Sequence, residues 1–181
     1  RSADAAYFQH FGKRLSDEGV NILEPFAGTG TFLTRLMQTG LIRPEDLSRK
    51  YTQELFANEI VLLSYYIAAV NIESVYRELC AENGVEPVVE GFPGISLTDT
   101  FAMGERDSQL AGGVFPENTA RLERQRNAKI DVIVMNPPYS AGQTSANDNN
   151  QNLKYPRLDE RIAATYAKCS SANLKNKLYD S

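Results

Sequence analysis

Short apolar runs alternate with amphipathic runs along this chain, and turn residues separate them. VNILEP at residues 20–25 and IDVIVM at residues 130–135 are rich in β-branched residues, which indicates strands. Because IDVIVM is apolar apart from Asp131, we predict that it is covered on both faces. Two more strands are predicted, one at residues 54–58 just before Glu59 and one at GISLTD, which ends at Asp99.

Amphipathic runs between these strands predict helices. TFLTRLMQTG follows the first strand and ends at Gly40, a residue typical of helix ends. PEDLSRKY predicts a short helix that starts at Pro44, residues 60–83 predict a long one, and a last helix is expected near Leu158. One face of the first helix is predicted to be buried and carries Phe32, Leu33, Leu36 and Met37. Strands that alternate with helices predict an α/β fold with a parallel sheet flanked by helices.

Composition and charge narrow the class of protein. The 181 residues suffice for one domain with a hydrophobic core, and 42% hydrophobic with 23% charged residues is typical of globular proteins. The net charge is −4, whereas a DNA-coating module is normally basic, so any grip on nucleic acid is expected to be local or to lie elsewhere. The sequence starts at Arg1 without a methionine, and we expect it to be a piece of a longer polypeptide.

Few residues are of the types that hold metals or form disulfides. Cys80 and Cys169 lie far apart, and His10 is the single histidine, so a disulfide framework, a metal site and Ser-His-Asp chemistry are all disfavoured. The longest apolar run, residues 60–72, is too short to span a membrane. We therefore predict no metal and no membrane contact for this segment, and a location in the reducing cytoplasm.

The first predicted strand ends at a glycine turn. FAGTG comprises Phe26, Ala27, Gly28, Thr29 and Gly30. The two glycines allow a tight turn with close approach of a ligand, although an ordinary strand–helix turn has the same pattern. Leu33 replaces the small residue of the NAD fingerprint, and no phosphate-binding GK[ST] follows.

Two carboxylates end the next two predicted strands. Glu59, followed by Ile60, could accept both hydroxyls of a ribose, or it could be a helix-starting acid that interacts with the helix dipole. Asp99, followed by Thr100 and Phe101, could accept a hydrogen bond from an adenine amino group, with Phe101 beside the ring. An ordinary turn aspartate is the alternative interpretation of Asp99.

The fourth predicted strand ends at Asn136-Pro137-Pro138-Tyr139. The prolines fix the backbone and remove N–H donors, which leaves the Asn136 side-chain oxygen and the Pro137 carbonyl as converging acceptors. Tyr139 adds a flat ring beside them. Such a turn can hold a planar amine by both hydrogens and direct its lone pair at an electrophile, so no general base is needed before attack. The polar run at residues 140–153 predicts a flexible loop within the domain, which either closes over substrate or merely connects.

Together these motifs resemble those of the S-adenosylmethionine-dependent amino-methyltransferases, in the order of the γ-type N6-adenine DNA methyltransferases. The resemblance is closest to the methyltransferase segment of type ISP restriction–modification enzymes and covers most of residues 16–181. It is carried by NILEPFAGTGTFLTRL, ANEIVLLSYYIAAVNIE, LTDTF, NPPYSAGQTSANDNNQN and YPRLDERIAATYA. The resemblance implies a Rossmann-like methyltransferase fold, present here in part and spanning residues 1–181.

The resemblance also implies roles for individual residues. S-adenosylmethionine would be bound by Glu24, by the glycine turn, by Glu59 with Ile60, and by Asp99 with Thr100 and Phe101. Glu24 stands where the family often has aspartate. Asn136, Pro137, Pro138 and Tyr139 would hold an adenine flipped out of double-stranded DNA, which the recognition domain of a larger, helicase-containing polypeptide would contact.

Two other functions use similar residues. A protein glutamine N5-methyltransferase would apply the same Asn-Pro-Pro-Tyr turn to a side-chain amide. A degenerate domain would serve as a non-catalytic DNA-binding scaffold, which the intact Asn-Pro-Pro-Tyr turn disfavours. The methionine-pocket motif that precedes the first strand in the family is not recognisable in residues 1–15. We therefore expect this segment alone to bind cofactor weakly and to be inactive.

Overall fold

The structure, a computed structural model, describes residues 1–105, 116–138 and 155–171. Its helices and strands follow one another as α1 (Ser2–Phe11), β1 (Asn21–Glu24), α2 (Thr31–Gln38), α3 (Pro44–Arg49), β2 (Leu55–Glu59), α4 (Leu62–Glu82), β3 (Ile95–Leu97), α5 (Pro116–Asn127), β4 (Ile130–Ile133), α6 (Pro156–Ala164) and α7 (Tyr166–Cys169). A π-helical turn (Lys50–Glu54) joins α3 to β2, and a 3₁₀ turn (Phe101–Gly104) follows β3. The predicted strands and helices are thus all present, within a few residues of their expected bounds.

The four strands form one parallel sheet in the order β3-β2-β1-β4. Leu23 of β1 pairs with Phe56 on one side and with Ile133 on the other. The chain adds β2 and β3 on one side of β1 and then returns to place β4 on the opposite side. This arrangement confirms the predicted α/β fold and puts the reversal of strand order at β1, where ligands bind in such sheets.

The core lies between the sheet and helices α2, α3 and α4. Leu33 and Met37 of α2 are buried as predicted, and α2 packs against α4. Phe32 does not share their environment, because 42% of its surface is exposed. It lies on the flank of the helix, so the prediction that it faces the core is wrong. Two tyrosines stack in the core, with the ring centroids of Tyr51 and Tyr76 at 3.7 Å.

Strand β4 is less covered than its apolar sequence predicts. Ile133 is 57% exposed, and Met135 just beyond the strand is 54% exposed. The physical reason is that β4 is the last strand at its end of the described sheet and pairs only with β1. The prediction of a strand covered on both faces is therefore wrong for the described part of the chain.

A buried charge network lies at the amino ends of the strands. The Lys50 ammonium is fully buried and donates hydrogen bonds to the carbonyls of Asp17 and Val20, each at 2.8 Å. It also lies 2.8 Å from the Glu54 carboxylate, which accepts hydrogen bonds from Arg49 and from a main-chain N–H as well. These contacts fix the loop that enters β1, at the edge of the sheet opposite to the predicted site.

The chain divides into two units. The first contains residues 1–100 and 116–136 of the described chain, and with them the whole sheet. The second contains residues 101–105, 137–138 and 155–171, where the Glu105 carboxylate accepts the N–H groups at the start of α6. Among the described residues, no helix has the length and apolar character needed to cross a membrane.

Candidate functional site

The carboxyl ends of the four parallel strands collect the residues that the sequence singled out. The glycine loop, residues 26–30, follows β1, Glu59 is the last residue of β2, and Asp99 lies two residues beyond β3. Asn136 lies three residues beyond β4, whose pairing with β1 continues to a hydrogen bond from the Val134 N–H to the Leu23 carbonyl at 3.0 Å. All four therefore leave the same edge of the sheet.

The glycine loop is a tight turn held against the neighbouring elements. Gly28 and Gly30 have φ values of 55° and 81°, in the left-handed region that glycine tolerates. The Gly30 N–H donates to the Ala27 carbonyl at 2.8 Å. A β-carbon on Gly30 would lie 2.9 Å from the Ile72 side chain of α4, whereas one on Gly28 would meet nothing within 4 Å. The lack of a side chain at Gly30 thus allows the loop to pack closely against α4, whereas Gly28 lies at the open surface of the loop.

Helix α4 fixes the outer part of the loop as well. The Asn71 side-chain amide donates to the Thr29 carbonyl at 3.0 Å, and Thr29 itself is exposed. Ala27 is buried, and its N–H donates to the Asn58 carbonyl of β2 at 2.9 Å. Phe26 is partly buried. The loop is therefore tied both to β2 and to α4.

Glu24, at the end of β1, holds the start of helix α2. Its side chain is 1% exposed and accepts the N–H groups of Leu33 at 3.1 Å and Phe32 at 3.4 Å. Burial raises the pKa of Glu24 to about 7, although these two hydrogen bonds act in the opposite direction. Glu24 therefore stabilises the glycine loop indirectly, because it binds the first turn of α2, the helix that follows the loop.

Glu59 receives hydrogen bonds from three main-chain amides. The Gly28 N–H donates to Oε2 at 2.7 Å, and the N–H groups of Ile60 and Val61 donate to Oε1 at 2.9 Å and 2.8 Å. An ionised carboxylate offers about four acceptor positions, so these bonds leave Oε2 able to accept one more. Ile60 is 40% exposed beside it.

A hydroxyl group joins the ends of the first three strands. Thr100 Oγ1 donates to the Pro25 carbonyl at 2.7 Å and accepts a hydrogen bond from the Asn58 side-chain amide at 3.2 Å. Asn58 is 1% exposed. Sequence reasoning missed Pro25 and Asn58, and the available signal was an amide next to Glu59 at the end of an apolar run.

The remaining predicted residues divide between the two units. Asp99 is partly exposed in the first unit, and Asn136 is exposed there. Phe101, Pro137 and Pro138 belong to the second unit, where the Phe101 ring lies 5.6 Å from the Tyr155 ring. Tyr139 and the predicted loop at residues 140–153 lie outside the described residues.

Comparisons with known proteins give an independent view of this chain. No protein-family model and no curated protein sequence matches it. Solved structures do match. A nuclease-deletion mutant of the type ISP restriction–modification enzyme LlaGI, in complex with a DNA substrate mimic, is 46% identical over 98% of this chain, with a TM-score of 0.84. The ATP-dependent type ISP enzyme LlaBIII, bound to DNA, is 44% identical over 98% of the chain, with a TM-score of 0.80.

A third match, a DrdV–DNA complex, is 42% identical over 94% of the chain, with a TM-score of 0.79. The chain spans 15%, 12% and 16% of the lengths of LlaGI, LlaBIII and DrdV. It therefore corresponds to one segment of much longer polypeptides. Over nearly its whole length, this chain is similar to one segment of the type ISP restriction–modification enzymes LlaGI and LlaBIII.

Proposed function

We propose that this chain is the catalytic segment of an S-adenosylmethionine-dependent N6-adenine DNA methyltransferase within a type ISP restriction–modification polypeptide. The observation that carries the proposal is the position of β4 beside β1. It brings the chain that enters Asn136-Pro137-Pro138 next to the glycine loop, at the reversal of strand order. The segments proposed to bind the amine and the cofactor thus follow neighbouring strands.

The residues at this edge fit S-adenosylmethionine. Gly28 lies at an open surface that can approach the methionine end of the cofactor, and Oε2 of Glu59 has an acceptor position for a ribose hydroxyl. Asp99 is partly exposed and would accept a hydrogen bond from an adenine amino group, and Ile60 offers an apolar side chain beside Glu59. When bound, the cofactor supplies a methyl group activated on a sulfonium.

From the sequence, Glu59 could accept both hydroxyls of a ribose, but three of its acceptor positions are already occupied by main-chain amides. With the Gly28, Ile60 and Val61 amides in place, Oε2 can accept one hydroxyl directly. A second hydroxyl requires Gly28 to release its hydrogen bond or to share it. We therefore propose that the glycine loop adjusts as the ribose binds.

For methyl transfer the chain supplies acceptors and positioning. The Asn136 side-chain oxygen and the Pro137 carbonyl would accept the two hydrogens of the adenine amino group and so hold its nitrogen in line with the methyl group. Positioning of this kind supplies a large part of the rate in such reactions. The adenine must leave the base stack to be reached.

DNA as the substrate is supported by the neighbours, since LlaGI, LlaBIII and DrdV are each in complex with DNA or with a DNA substrate mimic. This chain has a net charge of −4, so most phosphate contacts would come from other parts of the polypeptide.

Calorimetric titration of the restriction–modification polypeptide that we propose contains this chain, with S-adenosylmethionine and, separately, with NAD⁺, tests the cofactor assignment. The proposal expects saturable binding of S-adenosylmethionine and none of NAD⁺, because Leu33 replaces the small residue that NAD sites require. Preference for NAD⁺, or no binding of S-adenosylmethionine, would contradict it.

A further inference from the structure

The Thr100 hydroxyl lies between two groups that belong to other strands. Its oxygen donates to the Pro25 carbonyl at 2.7 Å and accepts from the Asn58 amide at 3.2 Å. Threonine can do both at once because a hydroxyl is a donor and an acceptor. Proline has no N–H, so Pro25 can join this network only through its carbonyl.

Each member of this network is the immediate neighbour of a predicted cofactor residue. Pro25 precedes Phe26 of the glycine loop, and Asn58 precedes Glu59. Thr100 follows Asp99. The main chain of Asn58 strengthens the same connection, because its carbonyl accepts the Ala27 N–H at 2.9 Å. A displacement of any one strand end would therefore be transmitted to the other two.

We propose that Thr100 is a positioning residue, which sets the distances between the glycine loop, Glu59 and Asp99 without itself contacting the cofactor. This inference rests on the proposed cofactor site and differs from the sequence expectation, in which Thr100 binds the cofactor directly. Its hydroxyl is engaged on both sides by the protein, as donor and as acceptor. The affinity for a ligand that contacts all three strand ends depends strongly on their relative positions. The stability of the fold depends on them less.

The test compares substitutions that remove or keep the hydroxyl. Thr100→Val removes it with little change of shape, and Thr100→Ser keeps it. Thr52→Val is the matched control, since the Thr52 hydroxyl donates to the Ser48 carbonyl, also at 2.7 Å, at the amino end of β2. Should Thr100→Val fail to fold, Thr100→Ala removes the hydroxyl without adding a methyl group. Binding of S-adenosylmethionine to the restriction–modification polypeptide that we propose contains this chain is measured by calorimetric titration.

We expect Thr100→Val to weaken binding about five- to tenfold, the equivalent of one or two hydrogen bonds, and Thr100→Ser to stay within about twofold of the wild type. Thr52→Val should bind S-adenosylmethionine with the affinity of the wild type, even if urea denaturation shows that it is destabilised as much as Thr100→Val. Equal binding by Thr100→Val and Thr52→Val would overturn the inference and leave the proposed function intact. A wild type that does not bind S-adenosylmethionine would overturn both.

Amide hydrogen exchange supplies a readout that needs no ligand. In Thr100→Val, the Ala27 and Gly28 amides should exchange faster than in the wild type, because their acceptors belong to Asn58 and Glu59. The Thr52→Val variant should leave both amides unchanged. Unchanged exchange at both amides in Thr100→Val would also overturn the inference.

Discussion

The Gly28 N–H donates a hydrogen bond of 2.7 Å to Oε2 of Glu59. This bond joins the loop after β1 to the end of β2, across the edge of the sheet where the candidate site lies. It makes the conformation of the glycine loop depend on a carboxylate that the sequence assigns to ribose. The geometry of the two proposed cofactor motifs is therefore coupled.

Glu59→Gln tests this coupling. If the side-chain oxygen of the introduced glutamine accepts hydrogen bonds from the Ile60 and Val61 N–H groups, its NH2 group faces the Gly28 N–H. Two hydrogen-bond donors then face each other without an acceptor. We expect the affinity for S-adenosylmethionine to fall at least about tenfold and the free energy of unfolding to fall by about 1–3 kcal/mol. Titration and urea denaturation measure the two effects. Glu82→Gln, at the exposed end of α4, is the control, and an unchanged affinity in Glu59→Gln would contradict the assignment of Glu59.

Glu24 makes stability depend on pH. Its pKa rises from 4.5 to about 7 on folding because the side chain is buried. The folded protein therefore holds this proton more tightly than the unfolded chain does. The resulting stabilisation is complete below pH 4.5 and is lost as the pH rises through about 7.

Glu24→Gln should lack this dependence. Relative to the variant, the wild type should lose up to about 3 kcal/mol of unfolding free energy between the two pKa values, since one pKa unit corresponds to about 1.4 kcal/mol. Urea denaturation of both proteins across that pH range gives the difference. Parallel pH profiles for the two proteins would show that Glu24 is ionised throughout.

The two loop glycines should respond differently to alanine. Gly28→Ala meets only the strain of a left-handed backbone, about 1–2 kcal/mol. Gly30→Ala adds a clash with Ile72, and overpacking costs about 1–3 kcal/mol more. Thermal or urea unfolding should therefore rank Gly30→Ala as the less stable variant. Gly30→Ala should cost less free energy of unfolding in an Ile72→Ala background than in the wild type, and an equal cost in both backgrounds would argue against the clash.

The network of Lys50 and Glu54 is expected to affect stability without affecting the site. Burial lowers the pKa of Lys50, and removal of the Glu54 charge leaves its ammonium in the interior with only carbonyl partners. Glu54→Gln should cost about 3–5 kcal/mol. Lys50→Met with Glu54→Gln should cost less than the sum of the single changes. Since the network lies at the amino ends of the strands, variants that fold should bind S-adenosylmethionine normally.

The strand ends could be predicted from the sequence because each apolar run stops at a distinctive residue. In a parallel sheet all such stops lie at one edge, so the fold class and the grouping of FAGTG with Glu59, Asp99 and Asn136 followed directly. The individual hydrogen bonds did not follow. Thr100 lies 42 residues from Asn58 and 75 from Pro25, and no local pattern indicates such partners.

Exposure was the weaker part of the sequence predictions. The apolar run of β4 indicates a strand but not how many neighbours it has, so the exposure of Ile133 was not foreseen. The helical period places Phe32 within a broad apolar face, yet α4 covers only the part with Leu33 and Met37. Both errors arise because coverage depends on distant elements, whereas periodicity reports only local geometry.

The most direct test of the central claim is methyl transfer to adenine. The restriction–modification polypeptide that we propose contains this chain is incubated with S-adenosylmethionine and duplex DNA of mixed sequence. The DNA is digested to nucleosides, and N6-methyladenine is quantified by mass spectrometry. Asn136→Ala is run in parallel, with Asn127→Ala, at the end of α5, as the matched control. We predict N6-methyladenine with the wild type and the control and at least about a hundredfold less with Asn136→Ala. Cofactor binding without any methylated adenine, or full activity in Asn136→Ala, would contradict the account.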